Sequence, residues 1–212
     1  MINHDDLTLK IGDVILIPQL HCHIGIANWA WDWVKKILGE SRYPELVQWS
    51  QQRSISIRGY HGTGLDGNNS KNFFKASKDL NLLLDQKAAT PVMNMLQKFD
   101  RVTKACFSRD LAPDWKEILD AFITSVWELV LFSKFQLNIQ MSIPWKLHLI
   151  VSHLRPFLEK IGCGMADYSE QTGESGHFKV SKEMSRFKRE LDNPHHAEKM
   201  LSACKRFNSK RI

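Results

Sequence analysis

From Ala112 to Phe135 the sequence reads APDWKEILDAFITSVWELVLFSKF, a helical stretch with apolar residues nearly all the way round. A helix without a polar face must be covered by other elements, so this segment is expected at the centre of a bundle. The rest of the chain supplies mostly helices to cover it. Strand signals are weak: LTLKIGDVILI, near the start, reads as one short strand or an irregular lead-in over residues 1–17.

After Pro18, apolar spacings of three and four dominate. HIGIANWAWDWVKKIL places Ile26, Trp29, Trp33 and Ile37 at helical spacing and stops at Gly39. YPELVQWSQQ is a short helix entered at Pro44. Residues 58–69, RGYHGTGLDGNN, form a glycine-rich loop. SKNFFKASKDLNLLLD resumes helical spacing with Ser70 as the N-cap candidate. TPVMNMLQKFDRVTKACF has Thr90 as N-cap and Pro91 at the first helical position. SIPWKLHLIVSHLRPFLEKIG ends at Gly162 and contains Pro156, which has no N–H to give the Ser152 carbonyl and should distort the helix. With two more helical stretches after Ser169, the count is about eight. The expected architecture is all-α: a single compact bundle over residues 1–212, without internal repeats or a linker.

The 212 residues are 43% hydrophobic and 25% charged, enough for one sizeable core and unlike a disordered or fibrous chain. No apolar run reaches bilayer length, and MINHDDLTLKIGD lacks the basic-then-apolar order of a signal peptide. A soluble intracellular protein is expected, with no membrane partner. Cys22, Cys106, Cys163 and Cys204 form no C-x-x-C pair and read as packed, reduced thiols. The net charge of +6 is unevenly placed. Residues 178–212 hold ten Lys/Arg against four Asp/Glu, so the whole surplus lies there and the first 177 residues balance. Such a segment can neutralise phosphates, or simply form a solvated basic tail.

Several constellations could carry chemistry. His148 and His153 fall within the H-x₃₋₅-H range of zinc half-sites. Five positions along an ideal helix is a rotation of about 140°, so both rings reach one ion only if the helix is distorted between them. Spacing alone therefore favours packed or hydrogen-bonded histidines over a metal. His21, Cys22 and His23 crowd three donors together, but adjacent residues on a helix do not face one another, which favours capping or packing. In DYSEQTGESGH, Glu170 and Glu174 sit at i and i+4 behind Ser169, a candidate cap, with Asp167 nearby. They suit a divalent cation in phosphoryl transfer and equally a helix N-terminus. Their spacing leaves the two equal and favours the structural role. GTGLDGNNSK does not match a phosphate loop, and no nucleophile signature stands out.

Three stretches taken together resemble a known family: LHCHIGIAN (Leu20–Asn28), LDGNNSKNFF (Leu65–Phe74) and KLHLIVSHLRPFLEKIGCGMADYSEQTGESGH (Lys146–His177). In order and approximate spacing they are similar to the C-terminal part of the Transib transposases and of the vertebrate V(D)J recombinase catalytic subunit. The resemblance is strongest over the last third and thin between residues 85 and 140. It implies the helical, zinc-binding insertion and final catalytic helix of an RNase H-like DDE recombinase. It further implies that His148 and His153 are zinc ligands and that Glu174, in GESG, is the third metal-binding carboxylate. Lys179, Lys182, Arg186 and Arg189 would follow on the same helix, placed to contact phosphates.

The departures are as informative. In that family two catalytic aspartates and a C-x-x-C zinc pair lie upstream of the LHC stretch, and this chain does not carry them. Asp5, Asp6 and Asp13 have neither the order nor the strand context to replace them. The resemblance thus implies a truncated or domesticated transposase-like, DNA-associated nuclear protein without autonomous cleavage or strand transfer. Its zinc site would be structural and incomplete. Mg²⁺ or Mn²⁺ would bind only if a partner chain supplied the RNase H-like core, and a homodimer is a further expectation. Two other classes stand beside it. One is a helical protein-interaction module, with Trp29, Trp31 and Trp33 as anchors or as core. The other is a free-standing small enzyme using Glu170, Glu174 and the histidines.

Overall fold

The computed structural model describes residues 17–56 and 64–168. All of them belong to the first of the two units into which the chain divides, Met1–Tyr168; the second is Ser169–Ile212. The lead-in over residues 1–16 and everything from Ser169 onward lie outside the described residues.

The described residues are helical, with no strand among them. Helix α1 (Gln19–Gln52) runs through Gly39, whose φ of 66° and ψ of −178° only glycine adopts readily. The stop expected at Gly39 is therefore a kink joining two helical rods. Helix α2 (Gly67–Ala76) passes into a 3₁₀ turn (Ser77–Leu82). Helix α3 is Gln86–Cys106 and α4 is Trp115–Gln136. A last rod is built from α5 (Trp145–His148), a π-turn (Leu149–His153) and α6 (Leu154–Ile161), closed by Gly162 at φ 69°. A second 3₁₀ turn covers Met165–Tyr168. Of the eight helices the spacing predicts, two fall after Ser169, and the two flanking Gly39 are joined as α1. Counting kinked α1 as one, the described residues thus hold five helical units.

Two helix starts differ from the sequence reading. Asp66, not Ser70, caps α2, its carboxylate accepting the Asn69 N–H at 2.8 Å, while Ser70 is buried in the first turns. Helix α3 starts at Gln86, with Asp85 accepting the Ala88 N–H at 2.9 Å, and Pro91 lies inside it. Starting earlier adds a turn that buries Ala88 and Ala89, and tertiary burial outweighs the ideal placement of one proline.

The core is aromatic along one line. His23, Phe74, Phe99 and Phe122 follow one another with ring centroids 4.2, 5.6 and 5.3 Å apart, tying α1, α2, α3 and α4 together. Trp29, Trp31 and Trp33 are all buried, so they are core residues rather than exposed anchors. Helix α4 departs from expectation. Leu119, Phe122, Val126 and Leu129 are buried, whereas Trp127, Leu131 and Phe135 on another face are 47%, 51% and 69% exposed. It packs on one face instead of sitting at the centre. No helix among the described residues is long and apolar enough to cross a membrane.

Candidate metal centre

An ideal helix would send His148 and His153 to different faces. The chain between them instead winds as the π-turn Leu149–His153. A π-turn closes i→i+5 hydrogen bonds, which brings residues five apart onto one face. The two Nε2 atoms stand 3.3 Å apart, with ring centroids 5.1 Å apart and planes at 80°. Pro156 supplies a local cause, because it cannot bond the Ser152 carbonyl and the α ladder is already broken there. Leu149, Ile150 and Leu154, in and just after the turn, are buried, while His148 is exposed and His153 half-buried.

The separation has chemical content. Two nitrogens each about 2.0–2.1 Å from one tetrahedral zinc lie about 3.3–3.4 Å apart. At 3.3 Å a direct N–H···N bond between the rings is a weak one. Ser152 Oγ lies 3.2 Å from His148 Nδ1. A hydroxyl accepting from Nδ1–H leaves the Nε2 lone pair facing His153, the role that outer partners play around metal-bound histidines. Two donors therefore fit a metal ion. Among the described residues, however, no group of three or more His, Cys, Asp or Glu is placed to hold one.

Of the three stretches that carry the family resemblance, the first touches the described parts of both others. Asn28 clamps Leu65: its Nδ2 donates to the Leu65 carbonyl at 3.0 Å, and its Oδ1 accepts the Leu65 N–H at 2.7 Å. Gly25 lets Lys146 pass close, since a Cβ there would stand 2.6 Å from Lys146 Cδ. Cys22 Sγ lies 3.6 Å from the Lys146 carbonyl. The sequence reading missed Asn28 as a positioning residue; its signal was an amide in an otherwise apolar helical run. Beyond Gly162 the chain docks on the loop between α3 and α4. The Gly164 N–H donates to the Arg109 carbonyl at 2.9 Å, and the Ala166 N–H to Ser108 at 3.2 Å. Glu170, Glu174, Lys179, Lys182, Arg186 and Arg189 lie outside the described residues.

In the His21–Cys22–His23 cluster, Cys22 and His23 take packing roles. Cys22 is buried, and His23 lies against Phe74. Burial, and then the charge of Lys71, lower the His23 pKa from 6.5 to about 4, with Asp100 opposing. A lowered histidine pKa stabilises the fold fully above the unfolded value of 6.5, and that stabilisation is lost as pH falls towards 4. The expected loss is about 2 kcal/mol, below the full value of the shift because the ring is partly exposed. Urea denaturation between pH 7 and 4 checks this. His23→Gln should flatten the pH slope relative to the unmodified chain, and an identical slope would remove His23 as its source.

No protein-family model, curated protein or solved structure matches this chain.

Proposed function

We propose that this chain is a transposase-derived, DNA-associated protein, related to the C-terminal part of a DDE recombinase, and that these 212 residues do not cleave or join DNA by themselves. The observation that carries the reading is the His148–His153 pair, two ring nitrogens held 3.3 Å apart by a π-turn. The contacts of Leu20–Asn28 with Leu65 and with Lys146 support it. In this reading His148 and His153 hold a structural zinc with Ser152 behind His148. Further ligands come from outside the described residues, because Cys163 is not grouped with the pair. The ion cross-links elements and supplies no reaction step.

Glu174 is the one carboxylate of three that the resemblance assigns within these 212 residues. One carboxylate cannot hold two metal ions for strand transfer. Mg²⁺ or Mn²⁺ therefore enters only where an RNase H-like core, which a partner could carry, completes the set. Lys179, Lys182, Arg186 and Arg189 contact duplex phosphates, and the protein acts in the nucleus, alone or as a homodimer. Duplex binding as a function of salt tests this. Four phosphate contacts give a log–log slope of about −3.6, and neutralising the four residues should remove it. Absent or salt-independent DNA binding would contradict the reading.

One observation favours a second reading, a helical protein-interaction module without a nucleic-acid role. Trp127, Leu131 and Phe135 line up at i, i+4 and i+8 on the exposed side of α4, and an exposed apolar stripe of this kind is a docking face. Binding to a protein that Trp127→Glu abolishes, with no affinity for DNA, would establish this reading over the first.

A further inference from the structure

A groove of about 520 Å³ runs between α2, with its 3₁₀ extension, and α3. Lys71, Lys75 and Lys78 line one wall, spaced by four and three residues so that they share a helical face. Asp100 and Lys104 line the other, and His23 and Phe74 form the floor, their rings tilted by 42° with centroids 4.2 Å apart. The nearby carboxylates, Asp100 within the groove included, are already paired. Asp100 pairs with Lys104 at 2.6 Å, and Asp79 pairs with Arg53 at 3.3 Å. Among the described residues Lys71, Lys75 and Lys78 make no ion pair.

Like charges one helical turn apart destabilise a helix, so the fold gains nothing from this row. Gathered around a concavity, the same charges focus field on an anion. The floor narrows the ligand class further. Burial keeps His23 neutral above pH 4, so it presents a flat, uncharged ring beside Phe74 instead of another cation. A ligand that matches both rim and floor carries phosphate on a planar, stackable body. We propose that this groove binds a nucleotide phosphate, with Lys71, Lys75 and Lys78 on the phosphate oxygens and the base or sugar against Phe74 and His23. The phosphate belongs either to a free nucleotide or to a nucleic-acid strand, and the chemistry is shared. The groove uses neither the histidine pair nor the basic C-terminal segment, so it stands whether or not those bind zinc and duplex DNA.

The test is a titration of the full, ¹⁵N-labelled chain at about 50 mM salt. The probes are ADP and, separately, a single-stranded DNA of about ten nucleotides. The signals are the His23 ring and the amides of residues 71–78. At least one probe should move them saturably. Lys75→Gln/Lys78→Gln, both at exposed positions, should weaken that probe at least about fivefold with Tm unchanged, and should reduce the salt slope for the oligonucleotide by about 1.4. Binding of ADP assigns a free nucleotide, and binding of the oligonucleotide alone assigns a strand. Three results would overturn the proposal: no shift of these signals with either probe, equal affinity in the double variant, or the same shifts at equal affinity with an oligoglutamate. The double variant retains Lys179, Lys182, Arg186 and Arg189, so a failure of this groove is distinguishable from a failure of duplex binding.

Discussion

Replacing Gly164 with alanine is expected to lower the unfolding free energy by about 2–4 kcal/mol. A Cβ at this position would overlap the Ser108 carbonyl oxygen and stand 3.0 Å from that of Arg109. Both obstacles are backbone atoms, so no side chain can rotate away. Either the Gly164–Arg109 and Ala166–Ser108 hydrogen bonds lengthen, or the loop ahead of α4 moves. Gly162 provides an internal comparison. Its φ is 69° but nothing lies within 4 Å of a Cβ there, so Gly162→Ala should cost only about 1 kcal/mol, from backbone strain. Urea denaturation of both variants separates the two causes. A Gly164→Ala variant within about 0.5 kcal/mol of the unmodified chain would mean that the backbone approach is not tight.

Trp33→Ala should cost about 3–5 kcal/mol, since removing a large core side chain leaves a cavity. Trp33 is fully buried, and its Nε1–H donates to Ser133 Oγ at 2.6 Å, fastening α1 to α4. Trp33→Phe keeps most of the apolar burial and loses that bond, so about 1–2 kcal/mol is expected. Ser133 remains satisfied in both, because its hydroxyl also donates to the Leu129 carbonyl at 2.6 Å. The difference between the variants measures volume against hydrogen bonding. Equal losses would show that the bond, not the packing, holds α1 there.

The all-helical architecture was legible because periodicity is local. Ile26, Trp29 and Trp33 announced the buried face of α1, and Gly39 and Gly162 marked the breaks that their positive φ angles require. Burial was less legible. Trp127, Leu131 and Phe135 made α4 look central, and composition does not say which apolar face finds a partner. Helix starts were misread where two acceptable caps lay close together, as with Asp85 and Thr90, and tertiary burial of Ala88 and Ala89 decided between them. The histidine pair was half legible. Pro156 flagged a distortion, but a choice between i→i+4 and i→i+5 bonding does not appear in a spacing rule. The lysine groove was illegible for another reason: Lys71, Lys75 and Lys78 are local, whereas His23 and Lys104 are brought to them by the fold.

Zinc binding by the full chain tests the proposed metal centre most directly. X-ray absorption at the zinc edge, after loading and removal of loosely held metal, reads both stoichiometry and ligand type. The expected result is retained zinc with two imidazole nitrogens at about 2.0–2.1 Å, lost in His148→Ala/His153→Ala. A chain that retains no zinc, or whose Tm and zinc spectrum are unchanged in that double variant, would contradict it.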